Sequence, residues 1–305
     1  MSNAITNANV QQYATNVAML LQQQGSRLRS AVTENSFVGK AASMVEQFGQ
    51  VNAVKNQGRH SDTPLIGTPQ DKRWVYPNDY DWADLIDQQD KLRILIDPTG
   101  PYTQAGVMAL GRAIDDEIIA GMFLSNNTGE NGTTATGTIT AFNSGSQVVA
   151  ATVGSTGNTG LNVAKLRAAK KLLMQAEVDI DNEQLFCAIT AIQHDNMLNE
   201  IQATNLDYTD RPVLVEGRIR SFMGFNFIHS ERIPGGSSYT GTINTSGLYY
   251  VPVWCKSGVA LGMWNDIQAS VDRRADKRNA WQVYVTGTFG GSRIEEKRVV
   301  QINCA

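Results

Sequence analysis

Between about Gln50 and Asp81 the chain makes a long polar excursion with few apolar residues, and an apolar-striped stretch from Pro101 to Ser125 follows soon after. The excursion, QVNAVKNQGRHSDTPLIGTPQDKRWVYPNDY, reads as two strand runs, Val51 to Gln57 and Lys72 to Tyr76, around a tip holding Gly58, Pro64, Gly67 and Pro69. It is a hairpin without a core. An isolated two-stranded ribbon is marginal in water, so an ordered arm of this length must lie on another part of the chain or on another copy of it. That requirement points to a chain built to assemble.

The stretch behind the arm has a clear helical period. Val107, Leu110, Ile114, Ile118 and Met122 recur in steps of three or four, and Ile119 and Phe123 widen the stripe. Pro101 suits a first turn, where its missing N–H costs nothing, and Asn126-Asn127 with Thr128-Gly129 ends the run. At 1.5 Å per residue such a helix is roughly 37 Å long. Gly106, Gly111 and Gly121 each cost on the order of 1 kcal/mol relative to Ala, so either close backbone packing offsets them or the helix bends.

On the N-terminal side, Tyr13, Val17, Leu20, Leu21 and Leu28 predict an amphipathic arm over residues 9–30, too narrow in its stripe to organise a domain. A Gly-, Thr- and Asn-rich tract at 126–160 reads as a surface hairpin with strand pieces at Thr136 to Phe142 and Gln147 to Val153. From Leu161 a compact α/β unit is expected: a helix through Leu166 and Leu173, a strand at Gln184 to Thr190, and a helix from Ala191 to Ala203. Strands then follow at Val213 to Val215, Gly224 to Ser230, Gly247 to Val253, Val259 to Met263, Trp281 to Thr288 and Arg293 to Ile302.

Composition excludes several classes. The 305 residues are 42% hydrophobic, enough for one large core or two smaller ones. A net charge of −3 gives no overall basic field for grasping nucleic acid. No run approaches the roughly 18 apolar residues that span a bilayer, and MSNAITNANV lacks the features of a signal peptide. Cys187, Cys255 and Cys304 are odd in number and widely spaced, which reads as reduced packing residues rather than a disulfide framework or zinc site.

Signals for chemistry are sparse. His194-Asp195 with Glu200 is the best nucleus for an acid/base or metal site, but adjacent residues diverge by about 100° on a helix, and no ligand spacing such as HExxH is present. A structural or surface role is the stronger reading. Asp79, Asp81, Asp84, Asp87 and Asp90 form an acidic run without the glycine and final glutamate of a calcium loop. A solvated face is favoured, with contact to a basic neighbour as the other reading. The basic candidate is Asp272-Arg273-Arg274-Ala275-Asp276-Lys277-Arg278, a charged tip between strands that reads equally as a soluble turn.

The order of parts resembles the major capsid protein of tailed bacteriophages, with its Hong Kong 97-type fold. The resemblance is carried by LLQQQGSRLR at 20–29, RWVYPNDYDWADLID at 73–87, KLRILIDP at 91–98, ALGRAIDDEII at 109–119, AIQHDNMLNEIQ at 191–202, DYTDRPVLVEGRI at 207–219, FMGFNFIHSERIP at 222–234 and VYVTGTFGGSRIEEKRVVQI at 283–302. No single run is a chemical motif; specificity rests on their joint order. The resemblance implies an α+β fold in which 1–49 is an N-terminal arm, 50–82 the extended E-loop and 83–125 the P-domain with its spine helix. It further implies an A-domain with a central sheet flanked by helices at 161–278 and returning P-domain strands at 279–305, whereas the excursion at 126–160 is where this chain is expected to depart from its relatives.

A structural protein rather than an enzyme is thereby implied, without cofactor or metal: copies gather as pentamers and hexamers into an icosahedral shell around double-stranded DNA. Portal and scaffolding proteins, and a decoration protein, are the implied partners, with packaged DNA on the inner face and no membrane. The implied location is the virion, after synthesis in the cytoplasm of a bacterial host. Contacts between subunits are expected at Arg59, His60, Lys72, Arg73, Asp79, Asp81, Arg273, Arg274, Lys277 and Arg278. The alternatives are an encapsulin-type compartment of the same fold and, from another class, a soluble hydrolase using His194, Asp195 and Glu200.

Overall fold

The computed structural model describes residues 22–55, 58, 62–63, 65–87, 99–129, 138–142, 146–200, 214–215, 218–233 and 248–305. A 3₁₀ turn at Arg29–Ala31 leads into strands β1 (Thr33–Ser36), β2 (Ala42–Phe48), β3 (Gln70–Val75) and β4 (Asn78–Ile86), then helix α1 (Thr99–Phe123). Strands β5 (Asn126–Thr128), β6 (Thr138–Thr140) and β7 (Val148–Val149) precede helix α2 (Val163–Gln175), β8 (Leu185–Ile189) and helix α3 (Ala191–Leu198). Next come β9 (Leu214–Val215), β10 (Arg218–Ile219), β11 (Ser221–Phe222) and β12 (Phe225–His229). The chain closes with β13 (Tyr249–Cys255), β14 (Val259–Arg274), β15 (Ala280–Arg293) and β16 (Val299–Cys304). This mixture is the expected α+β class.

The larger of two compact units holds the described residues of Ser26–Asp79, Ala113–Asp266 and Thr288–Ala305. Its centre is a mixed sheet in the order β11-β12-β8-β13-β16-β7, with β12 parallel to β8 and β13 antiparallel to both β8 and β16. Strand β13 is buried over its last five residues, as a central strand covered on both faces must be. Leu166, Ala169 and Leu173 of α2 pack with Phe225, Val251, Val253 and Ile302 in one apolar cluster. Burying each such Leu, Val, Ile or Phe side chain contributes about 1.5–3 kcal/mol. The Asn162 side chain accepts from Lys165 N at 2.8 Å and starts α2, and a capping box between Thr190 and Gln193 starts α3.

Three buried charges tie segments of this unit together. The Asp115 carboxylate on α1 accepts the backbone N–H groups of Arg27, at 3.0 Å, and Leu28, at 3.0 Å, and the Ser26 hydroxyl, so it fastens the entering chain. Arg293 donates to the carbonyls of Met122, at 2.5 Å, and Leu124, at 2.8 Å, where the exposed carbonyl end of α1 favours a cation. Burial pulls the Arg293 pKa down to about 10, which still leaves it charged at neutral pH. Lys165 donates to Thr159 O at 2.6 Å, Gly160 O at 2.9 Å and Asn303 O at 3.0 Å; desolvation lowers its pKa.

Gly121 answers one of the three helix glycines. A Cβ there would stand 2.6 Å from the Gly291 carbonyl carbon and 2.8 Å from Ser292 N, so α1 and β15 touch backbone to backbone. Close packing, not bending, is the gain that offsets the helix cost at this position.

The smaller unit gathers the described residues of Tyr80–Arg112 and Ile267–Gly287 with the segment ending at Gly25. Here Gly106 lets Trp82 and Val285 lie directly on the helix backbone; an added Cβ would meet them at 2.5 and 2.7 Å. Arg112 Nη1 donates to Gln22 Oε1 at 2.9 Å and Gln23 O at 3.3 Å. Strand β14 runs to Arg274, far past the expected end at Met263, because its outer residues are exposed and show no apolar period, and β15 continues past the expected Thr288 to Arg293. The turn between them holds Arg278 and Asn279 at φ 50° and 57°, a left-handed pair in which the arginine is the less usual occupant.

Three further expectations are corrected. The hairpin ladder is not Val51 to Gln57 with Lys72 to Tyr76: β2 pairs β3 from Ala42↔Val75 to Phe48↔Gln70, with a bulge between Ser43 and Val45. Gly49 N donates to Pro69 O at 2.7 Å and closes the ladder; Pro69 itself can donate nothing beyond it. Residues 22–28 form no helix, and the remainder of the N-terminal helix expected at 9–30 lies outside the described residues apart from the 3₁₀ turn. The helix from Ala191 stops at Leu198, and 201–203 lie outside the described residues too.

Candidate assembly interface

The arm is built on a rigid root. Arg73 on β3 is only 5% exposed; its Nη2 donates to Glu296 Oε2 at 2.6 Å and its Nε to Gln47 Oε1 at 3.3 Å. Gln47 Nε2 in turn donates to Ile294 O, and Trp74 Nε1 to Gly129 O at 2.8 Å. Breaking one partner of a buried charged pair costs several kcal/mol, on the order of 3–5, so this root does not rearrange cheaply. Lys72 faces Glu46 across the ladder at 3.0 Å, with Lys72 half-buried and Glu46 exposed.

Past the root the support ends. From Phe48 to Gln70 every described residue is exposed. Leu65 is 98% exposed and Phe48 68%, and Val51, Val54 and Ile66 join them, with Val38 on the approach to β2 at 96%. A cluster of exposed large apolar side chains on one segment marks an interaction surface rather than scattered surface noise. The sequence-based contact set held only polar and charged residues, Arg59 and His60 of which lie outside the described residues. These apolar side chains were missed; their readable signal was Val51, Val54, Leu65 and Ile66 standing in a Pro- and Gly-rich stretch with no regular period to bury them.

The charged tip is organised around its own ion pair. Arg274 Nε and Nη2 hold Asp276 at 2.8 and 2.7 Å, and Nη1 donates to Gln282 Oε1 at 2.8 Å. This fork lowers the Asp276 pKa to about 2. The Arg273 guanidinium lies 5.3 Å above the Trp281 ring, a cation–π geometry. Lys277 and Arg278 are exposed. The tip therefore presents Arg273, Lys277 and Arg278 outward while Arg274 braces it.

The acidic run is partly internal. Asp79 accepts from the Thr288 hydroxyl at 2.7 Å and Asp81 from the Tyr284 hydroxyl at 2.7 Å; the Tyr284 bond, with a second from Thr286, holds the Asp81 pKa below its usual value. Asp84 and Asp87 are exposed, and Asp90 lies outside the described residues.

The hydrolase nucleus does not assemble. His194 Nε2 accepts the backbone N–H of Ile219 at 3.3 Å, while Asp195 is exposed. Among the described residues no group of three His, Cys, Asp or Glu side chains can hold a metal ion, and no helix is long and apolar enough to cross a membrane. All three cysteines are buried and free; burial raises their pKa values, those of Cys255 and Cys304 to about 12.

Comparison with known proteins places this architecture. The profile of a family described as phage capsid protein matches residues 5–305. Among curated protein sequences none matches significantly. Among solved structures, the capsid of cyanophage P-SCSP1u superimposes with a TM-score of 0.76 at 12% identity, over 100% of this chain and 95% of that one. The capsid of Helicobacter pylori bacteriophage KHP30 gives 0.72 at 12%, covering 99% and 97%, and that of cyanophage Pam1 gives 0.70 at 13%, covering 98% and 97%. Identities this low carry the fold alone, and the fold they carry is that of a tailed-phage capsid protein. With the family profile spanning nearly its whole length, this chain belongs to the phage capsid protein family.

Proposed function

We propose that the chain is a major capsid subunit that self-assembles, as pentamers and hexamers, into an icosahedral shell around double-stranded DNA. The observation that carries this reading is the arm: a rigidly rooted ribbon whose far part holds Phe48, Val51, Val54, Leu65 and Ile66 in water. A chain that buries Leu and Val so thoroughly in its larger unit leaves these out because a second copy covers them. Each side chain buried on docking contributes about 1.5–3 kcal/mol before ordering costs, and a closed lattice repeats that contact in every copy.

In this reading 50–82 is the E-loop lying across a neighbour, and α1 is the spine helix of the P-domain within 83–125. Residues 161–278 form the A-domain, and 279–305 return to the P-domain. Lys72, Asp79, Asp81, Arg273, Lys277 and Arg278 sit at contacts between copies, with Arg274 bracing the tip and Arg73 acting inside its own chain as the arm's anchor. Portal, scaffolding and decoration proteins are the further partners, and the virion is the location.

Negative-stain microscopy of the purified protein, with a scaffolding protein where one is needed, tests the proposal. Closed shells or capsomers are expected. A monodisperse monomer under every assembly condition would sink it.

A further inference from the structure

A cleft of about 680 Å³ in the larger unit is lined by Arg27, His194, Arg218, Phe227, Ile228 and His229. That volume lies within the range of small-ligand sites, roughly 300–1,000 Å³. Its hydrogen-bonding character follows from two imidazoles. Arg27 Nη1 stands 2.9 Å from His229 Nδ1 and also donates to His229 O at 2.8 Å. A guanidinium has donors only, so His229 Nδ1 accepts and the ring proton sits on Nε2, which donates to Glu231 Oε1 at 2.8 Å. The same Glu231 oxygen accepts Ala191 N at the start of α3, at 2.7 Å. Glu231 is therefore engaged twice, and it does not line the cleft.

His194 obeys the converse rule. Its Nε2 accepts the N–H of Ile219, which leaves Nδ1–H as a donor. Nδ1 of His194, Nε and Nη2 of Arg27 and the whole Arg218 guanidinium make no hydrogen bond or ion pair among the described residues. The cleft thus offers two guanidinium groups and an imidazole N–H, from the N-terminal segment, β10 and α3, beside an apolar wall from Phe227 and Ile228. Among the described residues no carboxylate lines it.

We infer that this cleft is a binding site for a phosphate group. A tetrahedral oxyanion presents acceptors on every side, which suits donors supplied by three separate segments, and guanidinium forks match its oxygens in pairs. The phosphate is either free or part of a nucleic-acid backbone; the chemistry of recognition is shared.

Calorimetric titration of inorganic phosphate into the full-length, unassembled chain at low salt tests the inference. One saturable site is expected, weakened about tenfold or more by Arg218→Ala, the loss of one charge-assisted contact. Arg218 is exposed and unbonded, so the melting temperature of this variant stays unchanged. Lys171→Ala removes an exposed cation from a different basic patch, beside Arg167 and Lys170 on α2, and leaves phosphate binding intact. A short DNA duplex identifies the source: competition that Arg218→Ala also weakens assigns the site to backbone phosphate, and lack of competition assigns it to the free ion. No saturable binding, no effect of Arg218→Ala, or an equal loss with Lys171→Ala overturns the inference. Because the chain is unassembled, none of these outcomes bears on shell formation.

Discussion

Strands β13 and β2 are each seven residues long and meet opposite fates. Strand β13 is flanked on both sides, by β8 and β16, and its last five residues are buried. Strand β2 begins in the same way, with Ala42 and Met44 turned inward, but burial fades along it and Phe48 ends in solvent. One strand receives its apolar contacts from its own chain, and the other leaves that chain behind. The difference separates residues that make the fold from residues kept free for a surface the single chain does not contain.

The largest effect lies on the β13 side. Phe225 is fully buried in the apolar cluster beneath α2, so Phe225→Ala should destabilise the unassembled chain by about 3–5 kcal/mol, read from urea unfolding. A loss below ~1 kcal/mol would mean that the central sheet is not where this chain stores its stability.

Next comes the contact that made a helix glycine necessary. Gly121→Ala gains about 1 kcal/mol in helix propensity, yet the added methyl collides with the backbone of Gly291 and Ser292, which cannot rotate away. A net destabilisation of about 1–3 kcal/mol is expected from overpacking. A more stable variant would show that α1 and β15 separate without cost.

How much of this was legible in the sequence follows the same division. Where apolar side chains recur with the period of the element that buries them, as at Leu110, Ile114 and Ile118, the element could be read to within two residues at either end. The arm's strands could not. Val51, Ala53 and Val54 resemble a strand, but a ladder also needs a partner, and β3 pairs with Ala42–Phe48 on one side and Asn126–Thr128 on the other. Buried charges were invisible for a related reason: Lys165, Asp115 and Arg293 look like surface residues until distant carbonyls and amides come to meet them. The donor-lined cleft joins Arg27 to His229, 202 positions apart, a pairing no local spacing announces.

A smaller effect tests the charged tip. Arg274 holds the Asp276 pKa at about 2, below its ordinary 3.8. A carboxylate depressed in the folded state stabilises above its unfolded pKa, and that contribution fades as the pH falls from about 4 toward 2. Asp276→Asn should therefore differ from the parent chain at pH 7 by a small amount that shrinks as the pH falls through about 2 and vanishes below it, in thermal unfolding followed across this range. The residue is fully exposed, so solvent screens the pair and the difference is modest. A gap as large below pH 2 as at pH 7 would assign the effect to something other than the ion pair.

The smallest effect on stability is expected where the comparison is sharpest. Leu65→Ser with Ile66→Ser exchanges two exposed side chains, 98% and 47% open to water, so the single chain loses little and unfolding should shift by no more than about 0.5 kcal/mol. Shell formation should nevertheless fail or slow strongly, because the exchanged groups are those a neighbouring copy would desolvate. Removing Gly58 to Pro69 carries the same logic further: it takes away the Gly49 to Pro69 bond at the end of the ladder but leaves the β2–β3 pairs from Ala42↔Val75 to Phe48↔Gln70 behind it. If either variant unfolded the chain, the arm would belong to the core, and the contrast between β13 and β2 would be one of degree. If both fold and still close into shells at the parent rate, the exposed apolar side chains have no partner, and the neighbour must be held elsewhere.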